Sequence, residues 1–444
     1  MTTIPEQIIG RYIERTSASR AFTERARQVL PGGDTRTGVF YAPYPAYMVA
    51  GQGPTLTDLD GNRYLDFLNN YTSLVHGHAH PALLDAARGQ LPNGSVYASP
   101  MTPQVELAEL ICARTPSVEQ LRFTNSGTEA TMLALRAARA YTGRSGIVKM
   151  RGAYHGSHDL AAATADPEAD RGIPAGLRQD LFLAPFNDLA AVEALLQAHQ
   201  AAIAAIIVEP VPNAGGLPIP RPGYLQGLRD LADRYGALLI FDEVVTLRLH
   251  EGGYQALAGV TTDLTAMGKI IGGGFAVGAF GGKRAIMEQF NPSRPDHLGH
   301  SGTFNGHSVT MAAGLASLRL LDQPAIDRIN VLGATLARGF DDAFAEAGIA
   351  GGTTSAGSLV QVHWRAGPIV NMEDVGAGFS AAGGLPSLLH LELMNRGIYA
   401  AARGEYNIST AMTSDDIAHA VDAFSAALHA LKPYVLEAYP ALVG

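Results

Sequence analysis

The 444-residue chain has a single cysteine, Cys112, so no disulfide can close within it. A reducing compartment, the cytoplasm, is therefore the expectation. Long apolar runs are also missing: none reaches the roughly 20 residues that span a bilayer. The N-terminal "MTTIPEQIIGRYIERTSASR" mixes charges and lacks the apolar centre of a secretory signal. There is no block of Lys and Arg, and the net charge is −9, which argues against a general nucleic-acid binder and leaves small molecules as the expected partners. Lysine itself is scarce. Of 32 Lys and Arg residues, only Lys149, Lys269, Lys283 and Lys432 are lysine. Lys269 stands in "DLTAMGKIIGGGFAVGAFGG", between an apolar run and three glycines. An amine in such surroundings is a candidate for amine chemistry; the plainer alternative is a lysine snorkelling to the surface.

What the chain does contain is a core and many turns. Hydrophobic residues make up 47%, enough for one large core and a smaller one. The 50 glycines and 25 prolines are separated by apolar runs, so they read as turns rather than disorder. Residues 1–50 read as an arm with a helix around "SRAFTERARQVL", stopped by Pro31, Gly32 and Gly33. "LTDLDGNRYLDFL" reads as a hairpin turning at Asp60 and Gly61. From about 100 to 320, short apolar runs alternate with amphipathic stretches: "LRFTNSG" then "TEATMLALRAARAYTG", "GIVKM", "AAIIVEP" then "GYLQGLRDLADRYG", and "ALLIFDEV". That rhythm predicts an α/β domain with a mostly parallel sheet flanked by helices. The long helix "AIDRINVLGATLARGFDDAFAEAG" then opens a smaller α+β domain with two further helices. The expected divisions are 1–50, an arm or part of the small domain, 51–325, the large domain, and 326–444, the C-terminal small domain.

Open α/β sheets bind ligands beyond the carboxyl ends of their strands. Three candidates fall there. Asn125, Ser126, Gly127 and Thr128 lie between a strand and a helix, where hydroxyls and helix N–H groups hold an anion; a plain N-cap looks the same. Asp242 follows "ALLIF", and Lys269 follows "DLTAM". Jointly, an anion cradle, a carboxylate and an amine are what pyridoxal 5′-phosphate needs. Its phosphate must be anchored, its ring nitrogen kept protonated, and its aldehyde bound as a Schiff base. Desolvation beside a cationic ring would lower the lysine's pKa, and the glycines would let backbone pass close to the cofactor.

With "FTNSGTEA", "GAYHGSH", "VEPV", "LLIFDEV", "TAMGKIIGGG" and "SGTFNGH" in this order, the chain resembles the class III, fold-type I pyridoxal-phosphate aminotransferases. The resemblance implies a large and a small domain. It makes Lys269 the Schiff-base lysine and Asp242 the partner of the ring nitrogen. It gives the phosphate to Ser126, Gly127 and Thr128, one ring face to Tyr154 and the other to Val244. Glu209 matches an acid near the ring, and His155 stands beside the stacking tyrosine, to orient it or to support the structure. Thr303 matches a threonine that reaches the neighbouring subunit's phosphate, which implies a homodimer with shared sites.

Within the class, "PGGDTRTGVFYAPYPAYMVAGQGPTLTDLDGNRYLDF" and "GHAHP" look most like glutamate-1-semialdehyde aminomutase and the β-amino-acid (β-phenylalanine) aminotransferases. Arg36 with "VFYAP", "DEVVTLRL", and Arg403 with Gly404 match the second group. The expected reaction moves an amino group from a β-amino acid to 2-oxoglutarate or pyruvate by a ping-pong route. Two substrates then pass through one site, each with a carboxylate that arginine binds through a planar fork. One such arginine can be fixed and one on a mobile loop; Arg36 is expected to hold the β-amino acid's carboxylate. Arg403 is expected to hold the α-carboxylate of glutamate or the keto acid. Tyr71, Phe40 and Tyr154 would line an apolar pocket. The alternatives are glutamate-1-semialdehyde 2,1-aminomutase and an amine:pyruvate transaminase. A more distant one is a metal-dependent hydrolase built on His76 and His78, with His155 and His158; the expectation is that no metal is used.

Overall fold

The computed structural model describes residues 2–443 except 165, 167 and 366. It divides into two compact units: residues 1–80 with 328–368 and 374–444, and residues 81–327 with 369–373. The first unit opens with two helices, Ile4–Arg15 and Ser17–Ala26. The expected single arm helix is thus the second of a pair, and it ends before Pro31. Strands β1 (Met48–Gln52), β2 (Thr55–Asp58) and β3 (Arg63–Asp66) follow, with β2 and β3 forming the expected hairpin.

The second unit carries seven strands: β4 (Gln120–Thr124), β5 (Gly146–Met150), β6 (Leu181–Ala184), β7 (Ile203–Val208), β8 (Leu238–Asp242), β9 (Leu264–Gly268) and β10 (Gly278–Gly282). They form one sheet in the order β4-β10-β9-β8-β7-β5-β6. Only β10 runs against its neighbours, so β4, β5, β7, β8 and β9 all end at the same edge. The middle strands are buried on both faces, as "IAAIIV" in β7 requires. Ile206 and Val208 of β7 pack with Leu228 and Leu231 of helix Tyr224–Tyr235. Ala205 and Ile207 pack with Ala134 and Ala138 of helix Gly127–Thr142. Alternation along one strand therefore seats helices on both faces, each buried Ile or Leu contributing roughly 1.5–3 kcal/mol.

The first unit resumes with helix Gln323–Ala347 at its entry, then β11 (Gly352–Ala356), β12 (Leu359–His363), β13 (Ile398–Tyr399) and β14 (Glu405–Asn407). Phe340 stacks on Phe424 at 3.9 Å and meets Tyr406 edge-on at 4.9 Å, forming an aromatic core. Three helices follow residue 370 here, Met372–Ala382, Leu385–Asn395 and Ser414–Ala438, where two were expected. The strand register also corrects the expected division at residue 50. β13 pairs with β3, Ile398 opposite Leu65, so residues 51–80 belong with the C-terminal segment rather than the large sheet. Among the described residues no helix is long and apolar enough to cross a membrane.

Candidate active site

In the large unit the candidate residues gather at one sheet edge. Ser126 follows β4, Tyr154 follows β5, Glu209 follows β7, Asp242 ends β8 and Lys269 follows β9. Gly278 at the start of β10 lies opposite both Thr124 and Gly268. A side chain at Gly278 would meet the Ser126 carbonyl at 2.0 Å, so only glycine lets the Ser126 turn and β10 approach this closely.

Ser126 caps helix Gly127–Thr142: its Oγ accepts from Glu129 N at 3.2 Å, and Glu129 Oε2 accepts from Asn125 N at 2.7 Å. The plain N-cap reading and the anion-cradle reading therefore describe the same atoms, since the helix's first N–H groups remain aimed outward. Thr128 Oγ1 accepts from Ser157 N at 3.3 Å. A Cβ on Gly127 would lie 3.1 Å from the Val244 side chain, and one on Gly268 3.4 Å from it, so Val244 packs between the cradle and the end of β9. The Tyr154 ring is 56% exposed, an uncovered aromatic face beside these groups.

Asp242 is buried. Its Oδ1 accepts from Val244 N at 3.1 Å, and its Oδ2 pairs with His155 Nδ1 at 2.8 Å. His155 is buried too, and its Nε2 has no hydrogen-bond partner, so the Nδ1 proton points at Asp242. Of the two expected roles for His155, orienting Tyr154 or supporting the structure, its bond to the Asp242 carboxylate favours the second. No spacing rule links residues 155 and 242; only the parallel sheet brings them together. Glu209 Oε1 accepts from Tyr154 N at 3.1 Å. Burial pushes the Glu209 carboxyl up to about 8; Asp242 adds to the rise, and the Tyr154 N–H and Lys269 oppose it. Lys269 therefore lies within electrostatic reach of the acid pair. Its φ is +50°, a left-handed backbone that a non-glycine residue holds only where its surroundings impose it. Of the glycines after it, Gly273, at φ +59°, is required by packing: a Cβ there would lie 2.4 Å from the Ala313 carbonyl of helix Ser308–Leu320.

Thr303 lies on the exposed loop 301–304. The next residue but one, Asn305, accepts from Asn125 Nδ2 at 2.9 Å.

Arg36, Phe40, Tyr71 and Arg403 all belong to the other unit. The Arg36 guanidinium lies 6.0 Å from the Tyr71 ring centre and that of Arg403 lies 5.5 Å from it. Arg36 Nη1 also donates to Asn70 Oδ1 at 2.8 Å, and Tyr71 Oη donates to the Gly38 carbonyl. Asn69, Asn70, Tyr71 and Thr72 all have φ between +48° and +73°. Four consecutive left-handed residues without glycine cost roughly 1–2 kcal/mol each. The segment is held by Asn69 Nδ2 donating to the Asn407 carbonyl at 2.7 Å and by Leu74 N donating to the Asn69 carbonyl at 3.0 Å. Sequence reading missed this strained turn and Asn70; the "NN" before Tyr71 was the available signal, since asparagine tolerates φ > 0 best. Phe40 is 49% exposed.

Two of the histidines in the hydrolase reading have protein partners. His76 Nδ1 is bonded to Thr410 Oγ1 at 2.9 Å and His78 Nε2 to Asp66 Oδ2 at 2.7 Å. Among the described residues no group of three or more His, Cys, Asp or Glu side chains is placed to hold a metal ion. The sheet-edge residues instead fit pyridoxal phosphate: a helix N-terminus for the phosphate, an uncovered aromatic face for the ring, a buried carboxylate for the ring nitrogen and a lysine for the aldehyde.

The family described as Aminotransferase class-III matches residues 39–428. A glutamate-1-semialdehyde 2,1-aminomutase of Desulforudis audaxviator is 41% identical over 91% of this chain and 96% of its own length. Further proteins of that name match at 40–42%. A β-phenylalanine transaminase of Variovorax paradoxus is 40% identical over 92% of each chain. A solved transaminase with pyridoxal phosphate bound superposes with a TM-score of 0.87 at 38% identity, covering 96% of this chain and 99% of that one.

Proposed function

This chain belongs to the class-III aminotransferase family, and from that premise we propose that it moves the amino group of a β-amino acid, β-phenylalanine-like, to 2-oxoglutarate or pyruvate by a ping-pong route. It has the fold-type I architecture, a large α/β domain with a smaller α+β domain, and its cofactor is pyridoxal 5′-phosphate. Its reaction is that of a class-III transaminase or aminomutase.

When bound, the cofactor supplies an aldehyde that takes up the amino group and a cationic ring that draws electrons from the carbon bearing it. In this proposal the Ser126, Gly127 and Thr128 turn holds the phosphate, and Tyr154 and Val244 hold the ring faces. Asp242 balances the charge on the ring nitrogen, and Glu209 stands near the ring. Lys269 Nζ would take the proton from the substrate carbon that carries nitrogen and give it up at a different atom, the cofactor's aldehyde carbon, acting as base and then acid. Thr303 is assigned to the phosphate of a second copy, in a homodimer. Support comes from its exposed loop, where Phe304 is 55% exposed, beside an open cavity of about 900 Å³ lined by Val105, Cys112, Phe290 and Asn305. Sedimentation velocity at micromolar concentration should give a dimer, and Thr303→Ala should weaken cofactor retention about tenfold; a monomer with full activity would refute the sharing.

The transaminase reading is carried by the two arginines that both lie near the Tyr71 ring. Two carboxylate-binding forks suit an enzyme that must accept two different acids in turn, whereas an aminomutase isomerises one. Arg36 is assigned to the β-amino acid's carboxylate and Arg403 to the α-carboxylate of glutamate or the keto acid. Arg36→Ala is expected to raise the donor KM about 100-fold with a smaller change in kcat, as loss of a bidentate charge-assisted pair costs a few kcal/mol. If the keto-acid KM rises instead, the two assignments are exchanged.

The aminomutase is the second reading, and the names of the relatives favour it more than the first. One donor panel separates the two: β-phenylalanine, β-alanine, β-aminobutyrate and an aromatic amine, each with 2-oxoglutarate or pyruvate, and glutamate-1-semialdehyde with no acceptor. Turnover of the last alone would overturn the proposal.

A further inference from the structure

We infer that Glu405 controls how this enzyme takes its amino acceptor, by holding the Arg403 guanidinium in competition with the acceptor's carboxylate. The inference rests on the reading of Arg403 given above and extends it to a residue two positions away.

The two arginines beside Tyr71 differ in what balances them. Arg36 bonds to the neutral amide of Asn70, so its charge is uncancelled by that partner. The nearby Asp34 carboxylate accepts from the backbone N–H groups of Thr35 and of Arg36 itself, the latter at 3.0 Å. Arg403 instead donates from Nη2 to Glu405 Oε2. The Glu405 side chain is 1% exposed, against 35% for Arg403. Glu405 Oε1 also accepts from Asn407 Nδ2 at 3.0 Å, and that amide donates to the Leu68 carbonyl at 3.2 Å as well. The carboxylate is therefore fixed, buried in β14, and cannot follow the arginine outward. Arg403 Nε, by contrast, is buried without a hydrogen-bond partner, so the fork is only partly used.

The backbone around Arg403 is fixed as well. Its carbonyl accepts from Gln361 Nε2 at 2.6 Å, Gly404 N bonds to the Ala401 carbonyl at 2.8 Å, and Gly404 sits at φ +88° in the turn. The guanidinium can change partner, but the chain that carries it is tied down. A keto acid that uses Arg403 must draw it from a buried carboxylate, where charge-assisted bonds are strong. The donor's carboxylate on Arg36 meets no such rival. Glu405 thus weakens the acceptor half of the reaction and leaves the donor half alone. Tyr71 lies within reach of all four charges: burial raises its hydroxyl pKa most, Glu405 and Asp34 add to the rise, and Arg403 and Arg36 oppose it.

The test uses holoenzyme converted to the pyridoxamine-phosphate form by reconstitution, so no donor need be known. The absorbance change on mixing with 2-oxoglutarate or pyruvate is followed by stopped flow. Glu405→Gln is expected to lower the half-saturating concentration of keto acid about tenfold, and Arg403→Ala to raise it about tenfold or more. In the Arg403→Ala background, Glu405→Gln should then have no effect, because the competitor has nothing left to hold. If Glu405→Gln fails to retain cofactor, Glu405→Asp, with a shorter reach, must shift the wild-type value in the same direction. An Arg403→Ala effect with no response to either Glu405 variant overturns the inference and leaves the arginine reading intact. An inert Arg403→Ala, or a wild type that takes neither keto acid, overturns the reading and the inference together.

Discussion

Lys269→Ala is expected to lower turnover by about 10⁴-fold or more and to leave pyridoxal phosphate removable by gel filtration. The size follows from losing two functions at once, the covalent anchor and the acid–base group that shuttles the proton. The variant should fold. Lys269 sits at the mouth of β9, partly exposed, and its left-handed φ of +50° is imposed by neighbours that alanine leaves in place. Its loss also removes a positive charge that opposes the rise of the Glu209 pKa, so Glu209 should hold its proton to a higher pH in the variant. Two measurements check the assignment: product formation by chromatography, and borohydride reduction of wild type followed by mass mapping. Activity surviving in the variant, or a reduced adduct found on Lys149, Lys283 or Lys432, would sink it.

The part of this site that lay open in the sequence is the part carried by local order along the chain. Asp242 and Lys269 each end a run of apolar residues that can only be an inner strand, and Ser126 stands between such a run and a helical one. Strand-then-helix rhythm fixes which edge of the sheet those residues reach, because right-handed crossovers leave one arrangement. What stayed hidden depends on pairings across long separations. His155 meets Asp242 over 87 positions, and β13 joins β3 over more than 300, which moved residues 51–80 out of the large unit. A two-residue strand such as Ile398–Tyr399 has no periodicity to read. The Asn69–Thr72 turn was hidden for another reason. Its backbone is strained, and local propensity describes relaxed chains. Glu405 lay in plain view beside Arg403, but whether a neighbouring acid binds the arginine or faces elsewhere depends on the turn at Gly404.

Asp242→Asn is expected to lower kcat by about 10²–10³-fold, the cost of removing one fixed charge from a buried reaction site. The substitution changes charge with almost no change in shape. Its carbonyl oxygen can serve either Val244 N or His155 Nδ1–H, the two donors that the carboxylate serves together. Keeping both would require His155 to move its proton to Nε2, which is buried and has no hydrogen-bond partner there. One buried bond is therefore lost, at about 1–3 kcal/mol, and thermal unfolding should show a modest fall. That fall alone would also follow from a purely structural aspartate, so a second readout is needed. A cofactor analogue methylated at the ring nitrogen carries its positive charge permanently and needs no carboxylate to retain a proton. Reconstituting Asp242→Asn with it should recover a substantial part of the lost kcat while leaving the lowered melting temperature unchanged. Recovery of neither, with the cofactor still bound, would mean that Asp242 supports the fold around His155 and Val244 and does not act on the ring.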